Sequence, residues 1–349
     1  MMEISEIRTQ DVKKCLLCEE EGILYYKNLQ DRLFDVPGLW NFWKCPNCGL
    51  IWLNPRPVVN DIGKTYMTYL THNIEGSKTR IEILQDKIAL LILFSSRLYS
   101  NKNKRTISNF ISGRFLSLLP LFRNMARRYV MNLYGKPKEM LLDVGCGNGQ
   151  FLADMRKLDW EVAGVEPDPQ AARIAIDKFN LCVFSGTLFQ AKYPPNSFDA
   201  ITMKHVIEHI IDPLELIREC YRILKPGGKL SIITPNAESL QNRLFKSSWF
   251  ELDPPRHLHL FSLSTTIKLF ELAVPAGFQI IDLRSISINS AQVSIGSRAI
   301  GSMGKWNPKR LSTWQIMEGV IFWFVEEVMR LFLPKCGEEI LMTVMKRSE

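Results

Sequence analysis

The stretch Leu141-Leu142-Asp143-Val144-Gly145-Cys146-Gly147-Asn148-Gly149 constrains this chain more than any other. An apolar run ends in an acid, three alternating glycines follow, and a helical pattern opens at Gln150. Glycine permits backbone angles and a close approach that a Cβ would block, and the following helix aims free N–H groups at whatever binds. The stretch therefore predicts a strand, a tight turn and a helix that receive a polar ligand. Its spacing departs from the Gly-x-Gly-x-x-Gly of dinucleotide enzymes. A second apolar run, Glu161 to Val165, ends in Glu166, where an acid accepts hydrogen bonds from both ribose hydroxyls of an adenosine. An adenosine-containing cofactor is expected.

With these residues in place, the chain resembles the class I S-adenosylmethionine-dependent methyltransferases, whose first motif is the Asp-x-Gly-x-Gly-x-Gly seen from Asp143 to Gly149. Three later landmarks keep the family's order. Phe198 to Met203 is similar to its fourth strand, Val206 to Pro213 to the segment after it, and Ile223 to Leu230 to the turn before strand five. The resemblance implies an α/β, Rossmann-like seven-stranded sheet and S-adenosylmethionine held by Asp143, Gly145, Gly147, Gly149 and Glu166. After the third strand, Leu181 to Phe184, the family often places an acid against the adenine amino group. Gly186-Thr187 stands there instead, and the Thr187 hydroxyl is expected to make that contact. The sixth strand is expected at Gln279 to Leu283 and the seventh, antiparallel between the fifth and sixth, at Glu339 to Met345.

Cys15-Leu16-Leu17-Cys18 and Cys45-Pro46-Asn47-Cys48-Gly49 are separated by twenty-six residues. Two such turns converge four thiolates on one point, the tetrahedral set that zinc accepts, and no position is left for water. Cys15, Cys18, Cys45 and Cys48 are read as a structural zinc ribbon, with iron the rival metal and disulfides disfavoured in a reducing compartment. The run through Asn54-Pro55-Arg56-Pro57 adds a resemblance to the amino-terminal zinc module of bacterial methyltransferases acting on sugars, polysaccharides and secondary metabolites. Cys146, Cys182, Cys220 and Cys336 are expected as small core residues.

These readings divide the chain into a zinc-ribbon-like module (10–57), a helical cap or linker (58–138) and a methyltransferase domain (139–349) with a helical insertion at about 288–337. No leader of secretory type opens it, so a cytoplasmic location is expected. Arg97 to Glu139 holds ten Lys or Arg against one acid, and with Phe110, Phe115, Leu118 and Leu119 at helical spacing it suggests basic helices over the cofactor. Such a face is either solvated or meets phosphates, of nucleic acid or of lipid at the inner membrane surface. Ile88 to Phe94 and Val320 to Val325 are too short to span a bilayer. The apolar stretch Thr313 to Leu333 leaves a membrane-surface or dimer role open.

Methyl transfer to a hydroxyl needs alignment, exclusion of water and a base, for which histidine is suited near neutral pH. Four of the five histidines fall in two clusters, His205 with His209 and His257 with His259. His205 to His209 also spells the His-x-x-Glu-His of inverted zinc proteases, rejected here because it ends a methyltransferase strand. His257 and His259, expected on one face of an extended segment after strand five, are the preferred bases, and the family resemblance puts His209 beside cofactor and acceptor. The expected activity is methylation of a hydroxyl on a small molecule, sugar or polysaccharide precursor, with carbon methylation a close variant. RNA methylation and a catalytically silent cofactor-binding scaffold are the alternatives.

Overall fold

The computed structural model describes residues 7–66, 80–95, 107–134, 138–306 and 311–348. Short strands come first: β1 (Thr9–Gln10), β2 (Ile23–Leu29), β3 (Trp40–Lys44), β4 (Ile51–Leu53) and β5 (Arg56–Pro57). Three helices follow, α1 (Arg80–Ser95), α2 (Ile107–Leu116) and α3 (Pro120–Tyr129). Strands and helices then alternate as β6 (Met140–Val144), α4 (Gln150–Arg156), β7 (Glu161–Glu166), α5 (Pro169–Phe179), β8 (Cys182–Ser185), α6 (Leu188–Ala191), β9 (Phe198–Lys204), α7 (Pro213–Ile223) and β10 (Leu224–Pro235). Beyond these lie α8 (Leu240–Phe245), β11 (His259–Leu260), α9 (Leu263–Ala273), β12 (Phe278–Ile286), α10 (Ser290–Met303), α11 (Thr313–Phe332) and β13 (Glu339–Lys346).

Seven of the strands form one sheet in the order β12-β13-β10-β9-β6-β7-β8. β6 to β10 run parallel, and β13 lies antiparallel between β10 and β12, pairing Ile232 with Met342 on one side and Leu283 with Met342 on the other. Helices cover both faces, and the strands alternate between two cores. Leu141 and Ala200 pack with Ala89, Leu93, Ala126 and Leu152, while Leu142, Val144, Ile201 and Met203 pack with Leu216, Ile217 and Leu269. That period of two is what a sheet buried on both faces requires. The order reverses between β6 and β9, so both strands end at the crevice where open α/β sheets bind ligands.

Local chemistry sets the helix ends. Asp212 caps α7 by accepting the Glu215 N–H at 3.0 Å, with Pro213 in the first turn, and Asp168 caps α5 by accepting from Gln170. α10 and α11 occupy the segment between β12 and β13. They touch closely at Gly319, where a Cβ would stand 2.6 Å from Ile295 Cδ1. Much of α11 is apolar and exposed, Phe324, Leu331 and Phe332 among them. No helix among the described residues is long and apolar enough to cross a membrane.

Two expectations change. Cys146, Cys220 and Cys336 are buried, but Cys182 is exposed because β8 is the outer strand of the sheet. The basic segment from Arg97 lies partly outside the described residues (97–106 and 135–137). Its described part includes Phe115 and Leu118, which point largely to solvent, while α1 and α3 pack on the sheet through Ala89, Leu93 and Ala126.

Candidate active site

The glycine turn leaves β6 with Gly145, Gly147 and Gly149 at φ of 73°, 54° and 79°. These are left-handed values that penalise any Cβ. A Cβ on Gly149 would stand 2.7 Å from Ala175 Cβ, whereas Gly147 has nothing within 4 Å and faces open space. Glu166, at the end of β7, accepts the Gly147 N–H at 2.7 Å and the Asp168 N–H at 2.9 Å. It therefore braces the turn as well as facing it, a task the sequence reading had not given it. Asp143 accepts the Thr202 hydroxyl at 2.7 Å, and burial pushes it up to about 7 against the pull of Thr202 and Lys204. Burial also raises Glu166. Both carboxylates are nearly enclosed and suited to further hydrogen-bond donors.

Thr187 begins α6. Its hydroxyl accepts the Gln190 N–H at 3.3 Å while the Gln190 side chain accepts the Thr187 N–H at 2.8 Å. This reciprocal cap accounts for a threonine here without a ligand, and Thr-x-x-Gln is its sequence signature.

The segment after β9 lies against the turn, since a Cβ on Gly145 would meet Val206 Cγ2 at 2.6 Å. His205, at φ 53°, reaches Glu208 at 3.2 Å and Glu339 at 2.9 Å. Burial lowers its affinity for a proton, but the two carboxylates outweigh it and push the ring up to about 10. Glu339 also accepts from Asn289 and lies 3.5 Å from Arg128 Nε, so an α3 arginine ends in this corner. Residues 207–209 form one short 3-10 turn, and His205 and His209 turn to different partners, so the protease-like spelling builds no shared site for those two rings.

His209 and His257 come together with ring centroids 4.7 Å apart. Each Nδ1 lies against a backbone carbonyl, His209 at 3.1 Å from Arg256 and His257 at 2.7 Å from Glu251. A carbonyl only accepts, so each Nδ1 carries the proton and each Nε2 keeps a lone pair. Burial first, and mutual proximity for His209, lower both rings to about 4, which keeps them neutral at physiological pH. Glu208 sits beside them, fully buried and accepting the Thr234 hydroxyl at 2.9 Å. The Tyr66 ring meets His209 edge-on at 5.9 Å. His259 stacks instead with Phe261 and is lowered to about 3 by burial and by Arg56.

The cysteines gather as their spacing predicts. Cys15 and Cys48 sulfurs lie 3.5 Å apart, Cys18 and Cys45 3.4 Å, and all four within 4.8 Å. A tetrahedral ion with sulfur at roughly 2.3 Å needs edges of roughly 3.8 Å, so the set fits zinc. The amides of Leu17 and Cys48 point at the sulfurs of Cys15 and Cys45, which favours thiolates.

This cluster is joined to the histidine corner by main chain and by charge. The sheet of β2, β3 and β4 takes β11 as a fourth strand, pairing Trp52 with His259. Leu258 donates to the Glu208 carbonyl and accepts from Leu53. Arg256, 1% exposed, makes a two-pronged pair with Asp31 at 2.7 and 2.9 Å and a further pair with Asp253. Neither Asp31 nor Arg256 carries a motif that sequence reading could have used.

Residues 118–283 match the family model described as a methyltransferase domain. A ubiquinone biosynthesis O-methyltransferase of Xanthomonas campestris pv. campestris (strain B100) is 35% identical over 114 residues, covering 31% of this chain and 48% of that protein. One from Cereibacter sphaeroides (strain KD131 / KCTC 12085) is 29% identical over 157 residues, covering 43% and 64%. A SAM dependent methyltransferase from Archaeoglobus fulgidus has 21% identity and a TM-score of 0.44, covering 65% of this chain and 93% of its own. The chain spans about half the length of the first of these curated relatives. Over residues 118–283 the chain thus matches a methyltransferase domain, and its strand order and glycine turn are those expected of the class I S-adenosylmethionine-dependent fold.

Proposed function

We propose that the chain transfers the methyl group of S-adenosylmethionine to a hydroxyl oxygen of a small-molecule acceptor, with a sugar or polysaccharide precursor as the class to test first. The observation that carries this reading is the His209/His257 pair, both Nε2 atoms left with a lone pair, on the segment that follows Val206, which itself lies against Gly145 of the turn. The O-methyltransferase names of the curated relatives support oxygen as the acceptor atom.

S-adenosylmethionine supplies a methyl group on a positively charged sulfur, and the protein aligns it. Gly147, open on its Cβ side, lets the backbone approach the ligand while Gly145 and Gly149 hold the left-handed turn beneath it, Glu166 accepts from the ribose, and Asp143 adds a second carboxylate to the same turn. Thr187, at the start of α6, is the residue proposed to meet the adenine amino group, with its hydroxyl also capping that helix. In the transfer, the acceptor oxygen forms its bond to the methyl carbon as the carbon–sulfur bond breaks. The acceptor proton leaves at the His209/His257 pair, and His259 backs the loop that carries His257. Cys15, Cys18, Cys45 and Cys48 hold a structural zinc that fixes the β4–β11 edge of the acceptor corner.

The test is methyl transfer from labelled S-adenosylmethionine to a panel of sugars, nucleotide sugars and phenols, with metal analysis of the same protein. Expected are label in an acceptor ether and about one zinc bound by the four cysteines. Cofactor binding without transfer to any acceptor would instead support the silent scaffold, and an ordered ribbon free of metal would contradict the zinc assignment.

A further inference from the structure

We infer that Glu208, His209 and His257 hold a divalent transition-metal ion on the acceptor side of the site, separate from the four-cysteine cluster. One carboxylate oxygen and one ring nitrogen from each histidine lie within 4.8 Å of one another. Donors around an ion at about 2.1 Å stand roughly 3.0–3.4 Å apart, so small side-chain rotations close the set.

The contacts behind these donors point the same way. Metal-bound histidines characteristically give their other N–H to a carbonyl or carboxylate, which fixes the tautomer. Here His209 gives Nδ1–H to the Arg256 carbonyl and His257 gives it to the Glu251 carbonyl, leaving both Nε2 atoms for the ion. Glu208 is held by Thr234 on one oxygen and His205 on the other, and each oxygen retains a lone pair. Its neighbour Glu251 adds a further acid near the corner. Two nitrogens and one oxygen suit zinc, manganese or ferrous iron more than calcium or magnesium. Three protein ligands leave positions for water and for an acceptor oxygen.

This deepens the proposed function and rests on its reading of the corner as the acceptor site. A metal-bound water titrates near pH 7, so its hydroxide takes the acceptor proton and leaves as water while the alkoxide stays on the metal. The alkoxide oxygen then bonds to the methyl carbon, and the bonding pair of the broken carbon–sulfur bond stays on sulfur. The two rings thus act through the ion they hold.

The experiment titrates Mn²⁺ alone into the full-length chain with its cysteine site loaded with zinc, read by electron paramagnetic resonance. Manganese avoids thiolates, so the cysteine site does not contribute. Expected is about one Mn²⁺ per chain, with affinity lowered at least roughly tenfold in His257→Asn and in Glu208→Gln. His257→Asn leaves the Thr234 and His205 contacts of Glu208 intact and so separates ligand loss from a loosened fold. No uptake, or unchanged affinity in both variants, overturns the inference. Calorimetry with S-adenosylmethionine on the same samples keeps the two readings apart. Cofactor binding without Mn²⁺ uptake sinks the metal site and leaves methyl transfer standing, whereas Mn²⁺ uptake without cofactor binding sinks the proposed function and leaves the metal site.

Discussion

Nine consecutive residues, Leu141 to Gly149, supply most of the cofactor turn, whereas the corner around His257 draws on residues near 31, 53, 208, 256 and 339. The first region is largely a local solution: its backbone angles follow from three glycines, and Glu166, at the end of the neighbouring strand, braces it through the Gly147 N–H as Thr202 does through Asp143. The second exists only when the ribbon, the segment after β9 and the loop after β10 meet. A local site survives damage elsewhere, and an assembled one does not.

The largest effect is expected at the assembled corner. His257→Ala should lower turnover by roughly 10²–10⁴-fold, the scale for loss of acid–base function, while leaving S-adenosylmethionine affinity near that of the unaltered chain. Steady-state kinetics under chemistry-limited conditions, beside calorimetry, check both halves of that statement. Equal losses in turnover and cofactor affinity would mean that the two regions are not separable.

Asp31→Asn comes next. Arg256 and Asp31 are both fully buried, and removing one charge leaves the guanidinium with Asp253 as its remaining ion-pair partner. Breaking a buried pair in this way should cost about 3 kcal/mol in urea unfolding. The variant should also lose turnover, because Arg256 precedes His257 and its carbonyl orients His209.

A smaller effect separates a third region from both. Glu326 of α11 is buried against Ser290 and Gln241, and burial raises it to about 7. The folded state therefore keeps a proton that the unfolded state has already lost above about 4.5. Stability falls as pH rises between those values and levels off above 7. Glu326→Gln should remove this slope, matching the unaltered chain near pH 4 and exceeding it by about 3 kcal/mol above pH 7. Thermal melting across pH reads it, with cofactor affinity unmoved.

The same contrast explains what the sequence could show. The turn, the strand order and the four cysteines were legible because each is announced by residues close in the chain: glycines where φ is positive, apolar runs of strand length, paired Cys-x-x-Cys turns. The cap made by Thr187 carries a local signal, Gln190 three residues on, which the reading of Thr187 as an adenine contact passed over. Arg256 and Asp31 were not, being 225 positions apart with no local pattern. Nor was the addition of β11 to the ribbon sheet, because two residues of strand carry no periodicity. The His257/His259 pairing followed from a period of two, but packing put His257 against His209 and His259 against Phe261. Cys182 looked like a core residue from its apolar neighbours, and only its place on the outermost strand exposes it.

The independence of the cofactor turn from the histidine corner is tested most directly by calorimetry of S-adenosylmethionine against three proteins: the unaltered chain, Glu166→Ala and Cys45→Ser. Losing the Glu166 carboxylate should weaken binding by roughly 1.5–3 kcal/mol, the range for a hydrogen bond to a charged group. Cys45→Ser should lose its metal and loosen the β4–β11 edge while binding the cofactor as the unaltered chain does. Cofactor affinity unchanged in Glu166→Ala, or lost as fully in Cys45→Ser, would contradict the account.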